Sequence, residues 1–557
     1  MTDLPTPGTR PWFAHYNPGV RTDYSPPETT LPRMLEEGFA AHGSRVFVEY
    51  AGEEITYTGM QALAARAAAA LVAQGLEPGD RIALHLPNCP WHPVFFFAAM
   101  SAGLVVTHLS PLDAAEEIAH KLADSGARLV VSLAAPGFAG PLLGAAKFAD
   151  LPPVVQCPDP LLGPDTPVSA DAIGLETFWA GHEGAGWITA DTGPQDIALL
   201  QYTGGTTGRP KAAVLTHANI AASVNIYREF LKGEVVRQPG KRTLLFSPVF
   251  HILGLSTQLL RGFCDGLTVH LRPRFDAALA LDDIERFGIN IMTGVPTMWI
   301  AVLRQPGVET RNLSSLDFIG SGGAPLPVEV FERIRQLTGL GLRGGWGMTE
   351  TAPAGTNMPP GVDDSKLGTI GVPLPGLDIR IVDPADPARE MPVGQEGEMA
   401  IRGPNVTSGY WNRPDETAAA FFNGWFLTGD IAQMDADGFF YLVDRKKDMI
   451  LSGGFNVYPV MIEDAVHRHP SVSEVMALGV PDPYRGESAK IFVVLKPGAE
   501  AFSLEDLQDF LTDRLGRHEM PRALEFRDSL PKTPVGKLDR KALRAEAHAQ
   551  AQASEPA

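Results

Sequence analysis

The sequence is poor in cysteine and in basic side chains. Only three cysteines occur in 557 residues, Cys89, Cys157 and Cys264, and their spacing fits neither a disulfide framework nor a metal site. A reducing cytoplasm is therefore the expected location. Aspartate and glutamate outnumber lysine and arginine by 65 to 46, which gives a net charge of −19. Nucleic acid is not an expected partner, because phosphate backbones bind basic surfaces.

The sequence also lacks the apolar segments that direct proteins to membranes. No basic stretch followed by an apolar run opens the chain, so no signal peptide is expected. The longest apolar stretch, Val94–Val106, is too short to span a bilayer and contains a glycine. We interpret it as a buried helix followed by a strand. Length and composition predict a soluble globular protein with three or four structural units.

Helix and strand patterns alternate in the first part of the chain. A strand is predicted at Arg81–Leu86, and Asp113 is predicted to cap a helix that ends at Gly126 before the next strand. Such alternation predicts a parallel sheet covered by helices. Further on, the strand-like segment Gly394–Arg402 is bounded by turns and indicates a smaller β unit.

A loop rich in glycine and threonine lies between two predicted strands. Strand-like Ile197–Tyr202 precedes it, strand-like Ala212–Leu215 follows it, and Thr216 is predicted to cap the next helix. Glycines let backbone amides converge on an anion, hydroxyls add donors and a lysine adds charge. The loop lacks the Gly-x-x-x-x-Gly-Lys-Ser/Thr order of kinases and GTPases. We predict that polyphosphate is bound by Thr203, Gly204, Gly205, Thr206, Thr207, Gly208 and Lys211.

Four later segments carry residues suited to the same ligand. Gly345–Thr351 places an aromatic ring beside a carboxylate, a hard oxygen ligand that suits Mg²⁺. Gly424–Asp430 ends in an acid, Asp444–Pro459 combines a basic run with two glycines, and Pro531–Arg540 holds a lysine in a glycine-containing loop. Taken one at a time, an acid after a glycine or a short charge run is more typical of a turn or a solvated face.

Together, in this order and spacing, these motifs resemble those of the AMP-forming acyl and aryl ligase superfamily. That superfamily includes fatty acyl-CoA synthetases, coumarate-CoA ligases, luciferases and peptide-synthetase adenylation domains. The resemblance extends from about Leu31 to Leu543. The chain departs from the common pattern at four positions, which are Gly204 in place of Ser, Ala212 in place of Gly, Trp346 in place of Tyr and Met461 in place of Glu.

The resemblance implies a role for each motif residue. Trp346 would stack on adenine, Asp430 would bind the ribose hydroxyls, and Lys537 would reach the nucleotide during adenylation. Thr206 and Glu350 would act in catalysis and bind Mg²⁺. The other residues implied at the nucleotide or along the CoA path are Gly323, Ala324, Pro325, Gly345, Gly347, Thr349, Arg445, Lys447, Ser452, Gly453 and Gly454.

The resemblance also implies an α/β fold in two domains. Residues 1–445 would form a large N-terminal adenylation domain of two helix-covered sheets plus a small β unit. Residues 446–557 would form a small, mobile α+β domain that carries Lys537. Lys447 would be the hinge, and Ser452 to Gly454 would form the turn that pantetheine passes.

The implied activity is that of an ATP-dependent carboxylic acid:CoA ligase that works through an acyl-adenylate, with ATP, Mg²⁺ and coenzyme A as substrates or cofactors. The segment Pro248–Ser256 resembles the acyl-pocket motif, with His251 near the carboxylate. The segment Phe250–Leu260 contains no acid, unlike amino-acid-activating relatives. The predicted substrate residues are Phe250, Leu253, Met298 and Trp299.

These residues, and the resemblance of Arg10–Gly19 to bacterial long-chain and dicarboxylic acyl ligases, favour a medium- to long-chain fatty or dicarboxylic acid. An aryl or arylpropenoic acid is the alternative substrate. A non-catalytic nucleotide-binding protein is the alternative of a different class. The partners expected are small molecules, with no membrane span, and a homodimer is left open.

A decoy motif occurs upstream of Trp346. Gly339–Gly344 satisfies the dinucleotide-binding pattern Gly-x-Gly-x-x-Gly, but that motif must follow a strand and open a helix. Here it follows the predicted helix Val328–Leu337, so we interpret it as a helix cap and a turn.

Overall fold

Two sheets of mostly parallel strands form the large N-terminal part of the protein. The structure, a computed structural model, describes residues 10–553 except 164, 204–209, 323–327, 446–447, 449, 453–454, 458, 483–485, 512–513, 516–518 and 534–536. In spatial order the seven-stranded sheet consists of Ile173–Gly174, Val154–Cys157, Leu129–Leu133, Arg81–His85, Val105–His108, Ile197–Thr203 and Lys211–Thr216, of which the last is antiparallel to its neighbour.

The second sheet has nine strands and is parallel in its centre. In spatial order they are Val372–Pro373, Thr356–Asn357, Arg343–Trp346, Phe318–Gly322, Ile291–Gly294, Arg242–Leu245, Thr268–Leu271, Val46–Tyr50 and Glu53–Thr56. Helices cover both sheets, as the alternating pattern predicted. They are Leu31–His42, Tyr57–Ala73, Trp91–Ser101, Ala115–Ser125, Pro136–Gly144, Leu175–Phe178, His217–Phe230, the π-helix Leu253–Leu260 with its continuation Arg261–Cys264, Ala277–Phe287, Pro296–Leu303 and Val328–Thr338.

The helix boundaries test the capping predictions. Thr216 caps the helix His217–Phe230, and its side chain accepts a hydrogen bond from the Asn219 amide in a reciprocal capping box. Gly126 ends its helix in the left-handed conformation with φ of 63°. The prediction for Asp113 was wrong, because Ala114 occupies the N-cap and the Asp113 carboxylate instead pairs with Lys121 at 2.7 Å.

The apolar stretch and the glycine decoy were both interpreted correctly. Residues 94–106 form most of the buried helix Trp91–Ser101 and enter the strand Val105–His108. Gly339, with φ of 73°, follows the helix Val328–Thr338 and donates its amide to the Arg335 carbonyl at 2.8 Å, as a helix cap does. In the part of the chain that the structure describes, no helix combines the length and apolar content needed to cross a bilayer.

A third, antiparallel sheet forms the predicted small β unit. Its strands are Asp378–Val382, Gly397–Arg402, Trp425–Met434, Phe421–Phe422 and Phe440–Arg445, with the helix Pro414–Ala420 beside them.

The segment before the first long helix packs on this β unit. Trp12, in the 3₁₀-helix Pro11–His15, is 3% exposed and contacts the Phe440 ring edge-on, with centroids 6.3 Å apart. Arg10 forms an ion pair with Asp378. The start of the chain is therefore tied to a sheet formed near the end of the N-terminal part.

The C-terminal domain is α+β with its own core. Its sheet contains Phe455–Val457, Ile450–Ser452, Gly486–Leu495, Val472–Asp482 and Ala523–Phe526, and its helices are Pro459–His467, Leu504–Leu511 and Arg540–Ala553. Apolar residues such as Ile462, Ile491 and Leu507 form a cluster of their own. The fold class predicted from the sequence is confirmed, whereas a domain boundary at residue 445 stays a prediction.

Two buried histidines of the seven-stranded sheet should make the protein acid-labile. Burial lowers the pKa of His85 from 6.5 to about 4, and burial lowers the pKa of His108 to about 4 as well. Below about pH 6.5 the unfolded chain binds protons that the folded chain does not. The free energy of unfolding should therefore fall as the pH drops from 6.5 towards 4, by about 3 kcal/mol per histidine.

Thermal unfolding measured between about pH 7.5 and pH 4.5 checks this expectation. His85→Gln is the comparison variant, since a glutamine at this position cannot take up a proton. It should show a shallower loss of stability over the same range. A variant that keeps the full acid dependence would contradict the assignment to His85.

Candidate active site

One cleft collects residues from distant parts of the sequence. It has a volume of about 2030 Å³, and both the N-terminal part and the C-terminal domain line it. Most of the predicted site residues that the structure describes lie along this cleft. They are Thr203, Lys211, Phe250, His251, Leu253, Gly345, Trp346, Gly347, Thr349, Glu350, Asp430 and Lys537.

Glu350 is presented to the cleft by a short turn. It lies in the 3₁₀-helix Thr349–Thr351, just after the strand Arg343–Trp346, and it is 5% exposed. The Tyr410 hydroxyl donates to the Glu350 Oε1 atom at 2.9 Å. The Tyr410 hydroxyl thus helps to orient the carboxylate. In the described ranges no cluster of three acidic, histidine or cysteine side chains could hold a metal. Mg²⁺ usually keeps several waters and is held by one or two carboxylates together with substrate phosphates, so a single carboxylate such as Glu350 suits it.

Tyr410 connects Glu350 to the predicted phosphate-binding lysine. The segment around Tyr410 pairs with the edge of the strand Lys211–Thr216, through an isolated bridge between Ala213 and Tyr410. The Lys211 ammonium lies 3.6 Å from the centre of the Tyr410 ring and 3.0 Å from the Glu416 carboxylate. A cation over an aromatic face is stabilised by the ring quadrupole. Tyr410 thus contacts Lys211 through its ring and Glu350 through its hydroxyl.

Trp346 and Asp430 are directly linked. The indole Nε1 of Trp346 donates to Asp430 Oδ2 at 2.8 Å, and both residues are more than nine-tenths buried. Asp430 lies in the strand Trp425–Met434, opposite Arg445 in the register. The tryptophan therefore does more than supply a ring, because it also fixes one oxygen of the predicted ribose acid. A tyrosine at this position would lack the indole N–H donor.

Two glycines beside Trp346 allow backbone to approach backbone. A Cβ at Gly347 would lie 1.5 Å from the Pro353 carbonyl oxygen, and one at Gly345 would lie 2.9 Å from the Thr356 carbonyl oxygen. Neither position can carry a side chain without moving the strand that presents Trp346.

The opposite wall of the cleft carries His251. Burial lowers the pKa of His251 to about 3, with smaller contributions from the positive charge of Lys537 and from His108. His251 is therefore neutral at physiological pH, and the Lys537 charge acts close to it. Lys537 of the C-terminal domain therefore lies within electrostatic range of the motif that the resemblance assigns to the acyl carboxylate.

A buried hydrogen-bond chain supports the same wall. His92 Nε2 lies 3.1 Å from His108 Nε2, and His108 Nδ1 lies 2.9 Å from Gln201 Oε1. Gln201 in turn donates to the Phe250 carbonyl at 3.1 Å. This series of hydrogen bonds fixes the backbone immediately before His251. The sequence analysis did not identify His92, His108 or Gln201.

Two of the predicted substrate residues do not reach the cleft. Met298 and Trp299 are 7% and 2% exposed and belong to a core cluster, and the Trp299 indole donates to the Gly320 carbonyl. The prediction was wrong because it ignored the phase of the helix. Side chains three to four residues apart share a helix face, and the face of Pro296–Leu303 that lines the cleft carries Thr297, Ile300 and Ala301.

The remaining predicted residues divide into two groups. Ser452 is buried at the end of the strand Ile450–Ser452 and does not line the cleft. Arg445 is the last residue of the strand Phe440–Arg445. The others lie outside the described residues, and these are Gly204, Gly205, Thr206, Thr207, Gly208, Gly323, Ala324, Pro325, Lys447, Gly453 and Gly454.

Comparison with known protein families gives matches along most of the chain. Residues 35–411 match the sequence model of the AMP-binding enzyme family, and residues 461–537 match that of the AMP-binding enzyme C-terminal domain.

Individual proteins give matches of similar extent. A long-chain-fatty-acid--CoA ligase of Bacillus subtilis (strain 168) is 34% identical over 550 residues, covering 96% of this chain and 97% of that protein. One from Escherichia coli O6:H1 is 37% identical over 561 residues, covering 96% and 98%. A feruloyl-CoA synthase of Amycolatopsis sp is 35% identical over 491 residues, covering 88% and 94%. The crystal structure of ATP-bound MatB from Rhodopseudomonas palustris is 29% identical, with a TM-score of 0.82 and coverage of 93% and 99%.

Proposed function

The chain belongs to the family of AMP-binding enzymes, and from that premise we propose that it activates medium- to long-chain aliphatic carboxylic acids. It is an AMP-forming acyl-CoA synthetase that uses ATP, Mg²⁺ and coenzyme A. A substrate carboxylate attacks the α-phosphorus of ATP and expels pyrophosphate, which leaves an acyl-adenylate. The thiol of CoA then attacks the acyl carbon and releases AMP.

The protein's own part in this chemistry is positioning and charge neutralisation. We propose that Lys537 neutralises charge on the reacting oxygens, while Trp346 and Asp430 hold the nucleoside. His251 is neutral because its pKa is lowered. It would donate a hydrogen bond to the acyl carboxylate without placing a positive charge beside it. Mg²⁺ would sit at Glu350 and neutralise phosphate oxygens.

No covalent enzyme intermediate is required. Burial raises the pKa of Cys89 to about 12 and that of Cys264 to about 12. Thiols that stay protonated at neutral pH are poor nucleophiles. The proposed mechanism therefore assigns no part to the cysteines.

The proposal for an aliphatic acid rests on one observation, the apolar walls of the cleft beside His251. Phe250 and Leu253, which are close to His251 in the sequence, line the cleft, and Ile300 and Ala301 line it as well. Apolar side chains favour an alkyl chain by roughly 0.8 kcal/mol for each buried methylene. The similarity to two long-chain-fatty-acid--CoA ligases supports the proposal. The similarity to a feruloyl-CoA synthase keeps an arylpropenoic acid as the second candidate.

Pyrophosphate release with a panel of acids tests the substrate class. The panel contains saturated fatty acids of increasing length, α,ω-dicarboxylic acids, and benzoic and hydroxycinnamic acids, each with ATP, Mg²⁺ and CoA. The expected result is a rising kcat/KM as the aliphatic chain lengthens. A preference for the aromatic acids would replace the proposal by the second candidate, and no release with any acid would favour a nucleotide-binding protein without catalysis.

Replacing Glu350 should weaken the use of Mg²⁺ rather than the fold. Glu350→Gln keeps the side-chain volume and can still accept from Tyr410, but an amide oxygen is a poorer ligand than a carboxylate for a hard cation. Adenylation at limiting Mg²⁺ should fall by roughly 10-fold or more, since a charge-assisted contact is worth about 1.5–3 kcal/mol.

A Mg²⁺ titration of pyrophosphate release measures this effect. Raised Mg²⁺ should restore part of the rate in Glu350→Gln. Glu416→Gln, which removes the ion-pair partner of Lys211 instead, is the matched comparison and should keep the wild-type Mg²⁺ midpoint. An unchanged Mg²⁺ midpoint in Glu350→Gln would exclude it as the metal ligand.

A further inference from the structure

A buried arginine lines the cleft where an alkyl chain would run. Arg261 begins the helix Arg261–Cys264, which continues the π-helix Leu253–Leu260. Leu253, Thr257 and Arg261, each four residues apart, all line the cleft, so they follow one face of the helix away from His251. Arg261 is 5% exposed. A wall built for a purely apolar tail would not be expected to contain a guanidinium, because burying a charge is costly.

The charges around Arg261 do not balance. Its Nη1 lies 3.3 Å from the Asp265 carboxylate, but the same carboxylate also accepts from Arg228 Nε at 2.9 Å and from Arg237 Nε at 3.1 Å. Asp265 is 3% exposed. The four side chains together carry three positive charges and one negative charge. The Arg228 and Arg237 side chains are 31% and 25% exposed to solvent, whereas the Arg261 side chain is 6% exposed. The buried guanidinium of Arg261 shares its one carboxylate with two other cations, so a further anion would stabilise it.

Arg261 is the member of the cluster that can meet such an anion in the cleft. Its Nε donates to the Thr257 carbonyl at 2.8 Å and its Nη1 to Asp265. Within the described ranges the Nη2 atom of Arg261 has no hydrogen-bond partner. This atom is not completely buried, so a ligand in the cleft can reach it. Arg343 also lines the cleft, but it pairs with Glu234 at 2.8 Å.

Tyr227 adds a second donor at the same place. It lies in the helix His217–Phe230, lines the cleft and interacts electrostatically with Arg261. Burial raises the pKa of its hydroxyl to about 12, so the hydroxyl keeps its proton at neutral pH and can donate. A guanidinium and a phenol at one point are suited to a carboxylate.

We propose that Arg261, with Tyr227, binds a second carboxylate at the far end of the acyl substrate, so that the preferred substrates are α,ω-dicarboxylic acids. This inference rests on the proposed function and narrows it. An α-helix would rise by roughly 12 Å between Leu253 and Arg261. The wider π-helix Leu253–Leu260 rises less per residue, so roughly 12 Å is the upper limit. Since three single bonds of an extended chain cover roughly 3.5 Å, this limit corresponds to a dicarboxylic acid of up to about ten carbons.

The test compares decanedioic acid with decanoic acid, which differ only at the distal end. The quantity measured is the ratio of their kcat/KM values in thioester formation. In Arg261→Met this ratio should fall by roughly 10- to 100-fold, the effect of losing a charge-assisted hydrogen bond. The matched control is Arg237→Met, which removes a cation from the same Asp265 cluster but not from the cleft. Its ratio should stay within about twofold of wild type.

The outcomes separate the two levels of the proposal. Arg261→Met could turn over decanoic acid as the wild type does and also keep the wild-type ratio of the two kcat/KM values. That result would overturn the distal site and leave the fatty-acid function standing. Turnover of neither aliphatic acid would overturn both. An equal fall in Arg237→Met would indicate a structural effect of the cluster and would also overturn the direct contact.

Two further measurements keep the test decisive if Arg261→Met fails to fold. Arg261→Lys retains a cation beside Asp265 with fewer donors, and its ratio should fall by roughly 3- to 10-fold. In the wild-type enzyme, the preference for dicarboxylic over monocarboxylic acids should be greatest near ten carbons and lost in much shorter acids. A preference that is absent at every length would refute the site without any variant.

Discussion

Lys537→Ala should lose adenylation by roughly 100- to 1,000-fold, about 3 kcal/mol, while it still converts a supplied acyl-adenylate to the thioester. The magnitude is that of removing one group that stabilises developing charge in a transition state. Lys537 lines the same cleft as Glu350 and Asp430, and its charge acts on His251. Those observations put the lysine on the wall of the cleft, where the proposed role in adenylation requires it to be.

Separate assays of the two half-reactions decide the role of Lys537. Pyrophosphate exchange reports adenylation, and a synthetic acyl-adenylate mixed with CoA reports thioester formation. Lys532→Ala is the matched control, because Lys532 is in the same loop and pairs with Glu474 on the C-terminal domain. An equal loss in both half-reactions of Lys537→Ala would argue against a lysine that acts only in the first.

Variants at the predicted hinge and at the predicted CoA path should lose thioester formation and keep adenylation. Lys447→Pro fixes φ and removes an N–H donor, which should hold the C-terminal domain near one arrangement. Gly454→Leu should obstruct the pantetheine path and leave the nucleotide site open. Thioester formation should fall by more than about 100-fold in both, since small misplacements of reacting groups cost that much.

These two variants should still release pyrophosphate, and enzyme-bound adenylate should accumulate. Rapid-quench measurement of adenylate and acyl-CoA after one turnover provides the readout. Met461→Ala, a change at a side chain that is 46% exposed, serves as the control for the same domain. Normal thioester formation in both test variants would refute movement about residue 447.

The sequence predicted the parts of this protein that depend on local pattern. The cap at Thr216, the turn at Gly126 and the buried run from Val94 are short-range features, and each was recognised because its signal lies within a few residues. The alternation of helix and strand patterns predicted a parallel sheet covered by helices, whereas the presence of two such sheets was implied by the family resemblance. Trp346 and Glu350 of one motif and Lys537 of another all line one cleft.

The features that were missed depend on position in space. Met298 and Trp299 are apolar and adjacent to the site in sequence, but helix phase turns them into the core. Tyr410 reaches Glu350 only because its segment pairs with a strand formed two hundred residues earlier. The Asp265 cluster unites arginines from separate elements, and no spacing in the sequence indicates that they share one carboxylate.

The packing of Trp12 against Phe440 has a consequence for how the protein is made. Roughly 430 residues separate the two rings, and a ribosome adds about 5 to 20 residues each second. The first segment of the chain therefore waits for about 20 to 90 seconds before its partner sheet emerges. During that interval Trp12, Phe13 and Tyr16 have no apolar surface of the β unit to cover them. The nascent chain thus presents an aromatic segment to chaperones for most of its synthesis, and the N-terminal part closes late.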